Sequence, residues 1–452
     1  MLVQFSVENY SSFKDEVLLN MIPAKSRTMK SHIISDKEGK SIDVLPVATI
    51  YGANASGKTN LVNAIDFMQR LVIKGTKPDA MTGVTPHRLD PEIEKKPSRF
   101  EIVFKHNNIL YTYGFVISTS IVHEEWLFAY YTSQESKIFE RITSDDVTEV
   151  NPGNRFVSDV KNADFIKFIA QGTRPNQLFL TEAYNRNVGI LKPVVKWFRE
   201  NLHIIRPHSQ YSFLALRAHR EQNFIEYLSR FLNIVDTGIN KITCESEEFD
   251  PEKHLAGLPI DIRTRITEDL KLKNFNQLLV QSPQNSITIS KGNGNGNEHI
   301  THIRLQTEHT RTDGNPILFD PYEESDGTRR LMDLVPMLVD IWQGDRVFII
   351  DELDRSLHTH ISHLFIETII SGVTEKNARG QFIMTTHDTN LLDRSLLRRD
   401  EIWFIEKDKS GASHLTSLAE YKVSEGLNYE NGYLNGRFGA IPFIGNTEEL
   451  LK

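Results

Sequence analysis

Gly52-Ala53-Asn54-Ala55-Ser56-Gly57-Lys58-Thr59 (GANASGKT) matches the phosphate-binding loop pattern GxxxxGK[ST] at every specified position. The apolar run Val44 to Tyr51 before it predicts a buried strand. Apolar residues recur at intervals of three and four from Thr59, which predicts a helix. Between a strand and a helix, consecutive backbone N–H groups and the helix N-terminus can surround a phosphate. The loop is therefore predicted to bind the phosphates of a nucleotide.

The side chains of this loop have distinct predicted roles. The Lys58 ammonium is expected to reach the β- and γ-phosphate oxygens, and the Thr59 hydroxyl is expected to ligate Mg²⁺. The predicted nucleotide-binding residues are Gly52, Asn54, Ala55, Ser56, Gly57, Lys58, Thr59 and Asn60.

Two later strands end in side chains that suit phosphate chemistry. The apolar strand Val347 to Ile350 is followed directly by Asp351 and Glu352. Asp351 is predicted to hold Mg²⁺ directly or through water, and Glu352 to polarise the attacking water as general base. A second apolar strand, Gln381 to Thr385, precedes His387, which is expected to contact the γ-phosphate or position the water.

The stretch ESDGTRRL, residues 324–331, reads as a polar turn that opens a helix. Ser325 and the backbone N–H groups around Gly327 would face an anion at that helix N-terminus, with Ser325 or Asp326 as the cap. One helix separates this turn from Asp351, so the turn is not expected to reach the phosphate loop of the same chain. We expect the phosphate that it contacts to be bound by a second molecule of the protein.

Composition indicates an ordinary globular protein, with 39% hydrophobic and 25% charged residues. The net charge of −8 argues against a protein that coats nucleic acid with its whole surface, although a local basic patch is compatible with it. The single cysteine, Cys244, excludes an internal disulfide framework and fits a reducing compartment. No apolar run reaches the roughly 20 residues that cross a bilayer, so we expect a cytoplasmic protein without membrane contact.

Changes in periodicity divide the chain into three predicted parts. Residues 1–150 contain the phosphate loop and strongly alternating strands, residues 151–285 read as a mainly helical insertion, and residues 286–452 alternate helix and strand. The last part is typical of a parallel sheet covered by helices.

The phosphate loop, continuing into Thr59-Asn60-Leu61, resembles the ABC-type ATPase heads of RecF, Rad50 and the SMC and OLD-like proteins. ESDGT looks like the degenerate signature that replaces LSGGQ in the AAA15-type branch, with the second Gly and the Gln missing. Further resembling segments are the Walker B pair Asp351-Glu352, the D-loop Ser356-Leu357-His358, the switch histidine His387, the opening FSVENYSSF, and Tyr433 to Pro442, which ends in GRFGAIP.

The resemblance implies an α/β fold: an ABC-type ATPase head with an antiparallel β lobe, a parallel-sheet core and a mainly helical inserted lobe. It implies ATP and Mg²⁺ as ligands and a head-to-tail dimer, or a higher homo-oligomer, joined through the ATP sites. One protomer would supply Lys58, Thr59, Asp351, Glu352 and His387, and the other Ser325 and Gly327. Gln171 and Gln177 are both candidates for the family's Q-loop glutamine.

Many members of this branch serve prokaryotic anti-phage defence, as in PARIS, Septu and retron-linked systems. The resemblance therefore implies a co-encoded effector, a nuclease or toxin of TOPRIM or HNH type, that the ATPase scaffolds or regulates. A RecF-like ATPase that binds DNA in repair is the alternative. Basic stretches at 263–265 and 394–399 would serve it, although solvated helix faces are the better explanation of both stretches.

Overall fold

The computed structural model describes residues 1–26, 29–35, 42–144, 147–160, 163–271, 276–282, 285–294, 297–422 and 426–441. Its contacts divide the chain into two compact units. The first unit comprises Met1–Pro207 and Asp340–Lys452, and the second comprises His208–Val339.

An antiparallel sheet forms one layer of the first unit. Its polar–apolar alternation buries one face of each strand, as in Ser98–His106, where alternate residues are buried. In spatial order the strands are β2 (Val17–Asn20), β1 (Leu2–Glu8), β4 (Ser98–His106), β5 (Ile109–Ile117), β6 (Val122–Tyr130), β7 (Glu135–Ser144) and β8 (Val147–Pro152).

A mainly parallel sheet forms the second layer and carries the sequence motifs. Its central strands are buried along their whole length, which explains their continuous apolar runs. In spatial order the strands are β18 (Ser413–Ser417), β17 (Ile402–Lys407), β3 (Val47–Tyr51), β16 (Gln381–Thr385), β15 (Val347–Ile350) and β9 (Leu202–Ile205). All neighbours pair in parallel except β18 with β17, so the carboxyl ends from β17 to β9 lie at one edge.

Helices complete the first unit. Several bury aromatic side chains against the antiparallel sheet: Trp197 stacks on Phe104 of β4 with ring centroids 4.2 Å apart, and Phe179 packs against Phe139 of β7 at 5.0 Å. The helices are α1 (Lys58–Lys74), α2 (Pro91–Glu94), α3 (Asn154–Val160), α4 (Ala163–Gly172), α5 (Phe179–Asn185), α6 (Lys192–Lys196), α12 (Thr359–Lys376) and α13 (Tyr429–Leu434).

The second unit is a small antiparallel sheet with helices. Its strands run in the order β10 (Lys241–Glu248), β13 (Asn297–Thr310), β12 (Asn285–Gly294) and β11 (Gln277–Ser282), and β14 (Pro316–Phe319) pairs with β13. Its helices are α7 (Leu214–Arg220), α8 (Gln222–Ile234), α9 (Pro251–His254), α10 (Ile260–Lys271) and α11 (Asp326–Gln343), whose last residues are assigned to the first unit. Helix α8 buries the apolar residues Phe224, Leu228, Phe231 and Leu232.

The mixed α/β fold, with two antiparallel sheets and one mainly parallel sheet, confirms the predicted fold class. The predicted boundaries at residues 150 and 285 stay a prediction. The contacts within the structure group the residues on either side of them differently. Residues 151–207 associate with the first unit, and residues 286–339 with the second. The aromatic residues of the helices after β8 account for the first grouping, since their apolar partners lie on β4 and β7. Among the described helices, none combines the length and apolarity that crossing a membrane requires.

Candidate functional site

The phosphate loop joins β3 to α1 at the carboxyl edge of the parallel sheet, as the sequence predicts. Gly57 adopts a φ of 118° and precedes the first helical residue without any side-chain cap, which leaves backbone N–H groups at the helix N-terminus free for an anion. A Cβ on Gly57 would lie 2.6 Å from the Ser413 hydroxyl, and one on Gly52 would lie 2.4 Å from the Ile405 carbonyl oxygen. Both glycines are therefore required by close approaches of the chain.

Lys58 lies inside the loop that it is predicted to serve. Its ammonium donates hydrogen bonds to the carbonyl oxygens of Gly52 at 2.7 Å and Ala53 at 3.1 Å. Burial lowers the pKa of Lys58 to about 8, while the negative charge of Asp351 acts in the opposite direction. A buried cation with only carbonyl partners is poised to exchange them for phosphate oxygens, which stabilise its charge more strongly.

Asp351 receives hydroxyl donors from two other strands or helices. Thr59 at the start of α1 donates to its Oδ1 at 3.3 Å, and Thr385 at the end of β16 donates to the same oxygen at 2.7 Å. Asp351 is only 2% exposed. A hydroxyl and a carboxylate oxygen facing each other are hard donors of the kind that Mg²⁺ prefers. The residue pair that the sequence assigns to the metal therefore meets in space.

Glu352 and His387 lie at the same edge of the sheet. Glu352 has a φ of 54°, a strained value for a residue with a side chain, and its backbone N–H donates to the Thr385 hydroxyl at 2.8 Å. The backbone N–H of His387 donates to Asp354 at 3.2 Å. Partial burial, followed by the Lys58 charge, lowers the pKa of His387, so its ring is neutral at pH 7. A neutral imidazole can accept or donate a hydrogen bond beside a phosphate.

Three further residues complete the site without having been singled out from the sequence. Ser413 of β18 donates its hydroxyl to the Ser56 carbonyl oxygen at 2.6 Å, and Asn60 donates to the Ser12 hydroxyl at 2.8 Å. Thr385 joins the two carboxylate residues as described above. Ser12 stands within the quoted segment FSVENYSSF, and Thr385 ends the predicted strand Gln381 to Thr385, but only the fold brings them to the loop.

A nucleotide and Mg²⁺ fit the residues present. The Ser56 hydroxyl is buried and has no hydrogen-bond partner within the described part of the chain, as expected of a donor reserved for a ligand oxygen. Asn54 and Ala55 are exposed at the tip of the loop, and Ala55 adopts a φ of 60°. The free N-terminus of α1 and the glycine cradle supply the remaining anion-binding groups.

The ESDGTRRL turn lies in the second unit and begins α11. The Ser325 hydroxyl accepts the Thr328 backbone N–H at 3.1 Å, so Ser325 caps the helix, as one of the two predicted alternatives has it. Glu324 anchors the turn on β13 through His309, with Oε1 and Nε2 2.7 Å apart. Ser325 is exposed and Gly327 half-buried. The composite site that would join these two residues to a phosphate loop stays a prediction.

Of the two glutamines proposed for the Q-loop, Gln177 lies far from the phosphate loop along α1, and the role of Gln171 stays a prediction. Gln177 is buried beside the last turn of α1, where its Oε1 accepts the Thr76 backbone N–H at 2.7 Å. The phosphate loop opens the other end of this helix, which spans Lys58–Lys74 and is about 25 Å long. Gln171 is exposed at the end of α4. The strand β9, which sequence periodicity does not reveal, instead brings residues 205–207 beside Asp351, whose N–H bonds the Ile205 carbonyl oxygen at 2.9 Å.

Several basic residues considered for nucleic-acid binding are engaged within the chain. Arg398 is 4% exposed and donates to both oxygens of Asp400, at 2.9 and 2.7 Å. Arg399 donates to the Leu418 carbonyl oxygen at 3.2 Å. These contacts hold the segment before β17 in place, so the run at 394–399 serves packing to a large extent.

Comparison with known proteins places the motifs in a family. Residues 47–393, well over half of the chain, match the model of a family described as "AAA domain, putative AbiEii toxin, Type IV TA system". The match begins at the first residue of β3 and extends beyond His387, so it contains every predicted catalytic and nucleotide-binding residue. No curated protein matches the chain.

Solved structures of three ATPase heads align over most of the chain at low identity. The SMC head domain from Thermotoga maritima has a TM-score of 0.37 and 11% identity, covering 93% of this chain and 99% of that one. An SMC head bound to the C-terminal winged-helix domain of ScpA has a TM-score of 0.39 and 11% identity, with 92% and 97% covered. RecF with ATPrS has a TM-score of 0.30 and 14% identity, with 92% and 98% covered.

Proposed function

We propose that this chain, which belongs to the AAA-domain family described above, is an ABC-like ATPase that binds and hydrolyses ATP and thereby regulates a partner protein. The observation that carries the proposal is one sheet edge at which Lys58, Thr59, Asp351, Glu352 and His387 emerge from α1, β15 and β16. Family membership supports a P-loop ATPase, and the geometry supports the individual roles.

The proposed chemistry follows from what each residue can do at its position. The loop N–H groups and Lys58 hold the phosphates, and the Ser56 hydroxyl is available for a phosphate oxygen. Thr59 and Asp351 would hold Mg²⁺, which when bound neutralises charge on the transferred phosphoryl group. Glu352 accepts the proton of the attacking water, and neutral His387 orients that water or the γ-phosphate.

We further propose that the active form is a head-to-tail dimer, or a larger homo-oligomer built from it. Ser325 caps α11 through its hydroxyl, and Gly327 leaves backbone room at the same helix start. An exposed helix N-terminus of this kind suits the γ-phosphate held by the loop of another protomer. Loss of the second Gly and the Gln from the signature favours a regulatory ATPase over a transporter motor.

The partner is proposed to be a co-encoded effector, a nuclease or toxin of TOPRIM or HNH type, in anti-phage defence. The family description, which names a toxin of a type IV toxin–antitoxin system, supports a setting in which a toxic activity is held under control. The internal engagement of Arg398 and Arg399 takes two of the basic residues considered for RecF-like DNA binding into contacts within the chain.

Mixing two inactive variants tests the shared site. Ser325→Arg should place a cation and a long side chain at the composite site and stop hydrolysis, while ATP binding by the same chain stays intact. Lys58→Ala should abolish ATP binding. A mixture should recover about a quarter to a half of the wild-type turnover per ATP-competent loop, because some heterodimers contain one intact site.

Three readouts separate the parts of the proposal. Unchanged ATP binding by Lys58→Ala contradicts the loop assignment, and no recovery on mixing contradicts the shared site. Copurification of the wild-type chain with products of adjacent genes, with and without ATP, tests the effector. Retention of duplex DNA instead of a protein under the same conditions would favour the repair alternative.

A further inference from the structure

A compact group of metal-ligating side chains lies on the sheet of the second unit. Glu247 of β10 and His302 of β13 are directly opposed partners in the antiparallel register, so both side chains project from one face. The chain then turns into the short helix α9, whose last residue, His254, returns over this pair. Each of the three residues offers one ligand atom, and these three atoms all lie within 4.8 Å of one another.

The distances converge on a single carboxylate oxygen. Glu247 Oε1 lies 2.9 Å from His254 Nε2 and 3.6 Å from His302 Nδ1. The two imidazole rings are 4.4 Å apart between centroids and inclined by 32°, so both nitrogen lone pairs can point towards one position. The other oxygen, Oε2, is held by the Lys253 ammonium at 2.5 Å, which fixes the carboxylate and leaves Oε1 for the histidines.

His302 supplies an observation that a surface ion pair does not explain. Its side chain is 11% exposed, and its Nδ1 is buried without a hydrogen-bond partner among the described residues. A buried nitrogen facing a carboxylate and a second imidazole, yet bonded to neither, is in an unfavourable environment unless something occupies the space between them.

We propose that Glu247, His254 and His302 form a Zn²⁺ site. Two imidazole nitrogens and one carboxylate oxygen are a donor set of zinc sites that keep a fourth position open for water or a ligand. Zinc is favoured over Mg²⁺ and Ca²⁺, because those cations prefer all-oxygen ligands. The site lies in the second unit and shares no residue with the predicted ATP site, so it stands or falls independently of the proposed hydrolysis.

Metal binding requires one proton to move. The backbone N–H of Asp250 donates to His254 Nδ1 at 2.9 Å, so in the metal-free chain the proton of His254 is on Nε2 and is donated to Glu247. Zinc would take the Nε2 lone pair, and the proton would move from Nε2 to Nδ1. Two exposed hydrogen bonds, from the Asp250 N–H to Nδ1 and from Nε2–H to Glu247, would then be replaced by metal–ligand bonds and by hydrogen bonds to water.

The open position of this site would face a cavity of about 480 Å³. The three ligands line one part of it. The Arg304–Asp320 ion pair and Tyr322 line another, and Met332 and Asp333 of α11 contribute a third. Zinc would therefore link β10, β13 and α9 beside α11, the helix that Ser325 caps.

Zinc titration of the full chain tests the site. Calorimetry in millimolar Mg²⁺, which keeps the oxygen sites filled, should show one zinc ion per chain with micromolar affinity or tighter. Cobalt substitution should give visible absorption bands typical of mixed nitrogen and oxygen ligation. His302→Gln and Glu247→Gln should each weaken zinc binding by more than about a hundredfold.

His309→Gln is the matched control, because His309 also lies on β13 and also contacts a glutamate, Glu324, but has no second imidazole partner in the metal cluster. Zinc affinity should not change in this variant. If His302→Gln fails to fold, Glu247→Gln decides, since Glu247 is 47% exposed and tolerates the change. Absence of binding, or equal binding by all variants, overturns the proposal.

Discussion

Thr385 is the residue on which both carboxylates of the candidate site depend. Its hydroxyl donates to Asp351 and accepts the N–H of Glu352, and the residue is fully buried. One side chain thus orients the proposed metal ligand and holds the general base in its strained backbone conformation. The arrangement accounts for a threonine, because valine has the same shape but neither donor nor acceptor.

Thr385→Val should separate binding from hydrolysis. Loss of the hydroxyl leaves the buried Asp351 oxygen and the Glu352 N–H without this partner, which costs about 1–3 kcal/mol. We expect this cost in the transition state, where it corresponds to roughly a 5- to 150-fold fall in kcat. ATP affinity should change little, because the phosphate loop is untouched. Steady-state turnover and nucleotide binding measure the two effects. Thr385→Ser is the control and should retain most activity, whereas equal turnover by the valine variant would contradict this role.

Lys58 should make ATP affinity depend on pH. Its pKa of about 8 in the nucleotide-free chain means that the ammonium is lost as pH rises through that value. Bound phosphates favour the ammonium and raise its pKa, so binding takes up a proton and the Kd for ATP should rise towards tenfold per pH unit above 8. Fluorescence titration across this range, with calorimetry in buffers of different ionisation enthalpy, checks the slope. Lys74→Met, at the exposed far end of α1, should leave the profile unchanged, and a flat wild-type profile would refute the assignment.

At the residue scale, the sequence predicts the parts of the site that follow from local patterns. GANASGKT and the carboxylates after Val347 to Ile350 are recognisable because a glycine-rich turn and a strand end impose their own spacing. Ser12 and Ser413 are not recognisable, because Ser12 reaches the loop from the turn after β1 and Ser413 from β18, and each is an ordinary serine in its local sequence. Gln177 shows the converse. It is a sequence-based candidate for the Q-loop, but its side chain accepts a hydrogen bond from Thr76, just after the C-terminal end of α1 and far from the phosphate loop.

At the scale of elements, comparing alanine variants of two glycines with positive φ separates the cost of backbone strain from the cost of steric clashes of the added methyl group. Gly57 has a φ of 118° and a close neighbour in Ser413, whereas Gly83 has a φ of 81° and open space around its Cα. Gly83→Ala should lower the free energy of unfolding by about 1 kcal/mol through backbone strain alone.

Gly57→Ala should be more damaging, because the added methyl group also displaces β18 from the loop. We expect a lower Tm than for Gly83→Ala together with loss of ATP binding. Thermal unfolding and nucleotide titration of the two variants make the comparison. Similar Tm values with intact ATP binding in both would show that the close approach to Ser413 does not matter.

The elements that the sequence predicts best are those with a long, regular period. β15 spans the predicted Val347–Ile350, and the helix expected after Thr59 is α1. β9 was missed because it has only four residues and follows a helical segment without a turn signal. Its identity as a strand comes from pairing with β15, which is a long-range contact. The packing of residues 151–207 likewise depends on aromatic partners that are distant in the sequence.

At the scale of the whole molecule, the predicted ATP-binding and signature residues fall in different units. The phosphate loop, Asp351, Glu352 and His387 belong to the first, and Ser325 and Gly327 to the second. Two kinds of response to ATP are therefore expected, one from binding within a protomer and another from assembly.

Glu352→Gln should reveal these responses in sequence. With hydrolysis blocked, ATP should accumulate a stable dimer, detectable by light scattering. Hydrogen exchange should slow at residues 52–61 on nucleotide binding, and at residues 325–330 only when the dimer forms. Adding Ser325→Arg to Glu352→Gln should keep the first protection and remove the second. Protection of both segments in a monomer would contradict assembly through shared sites.

The dual hydrogen bonding of Thr385 also bears on how activity can be read among related sequences. A relative with an intact phosphate loop and both carboxylates, but with valine at the position of Thr385, would pass every motif test and yet hold ATP much longer before turning it over. Such a chain would act as a slow nucleotide-dependent switch. The last residue of β16 is thus a marker by which fast and slow members could be told apart.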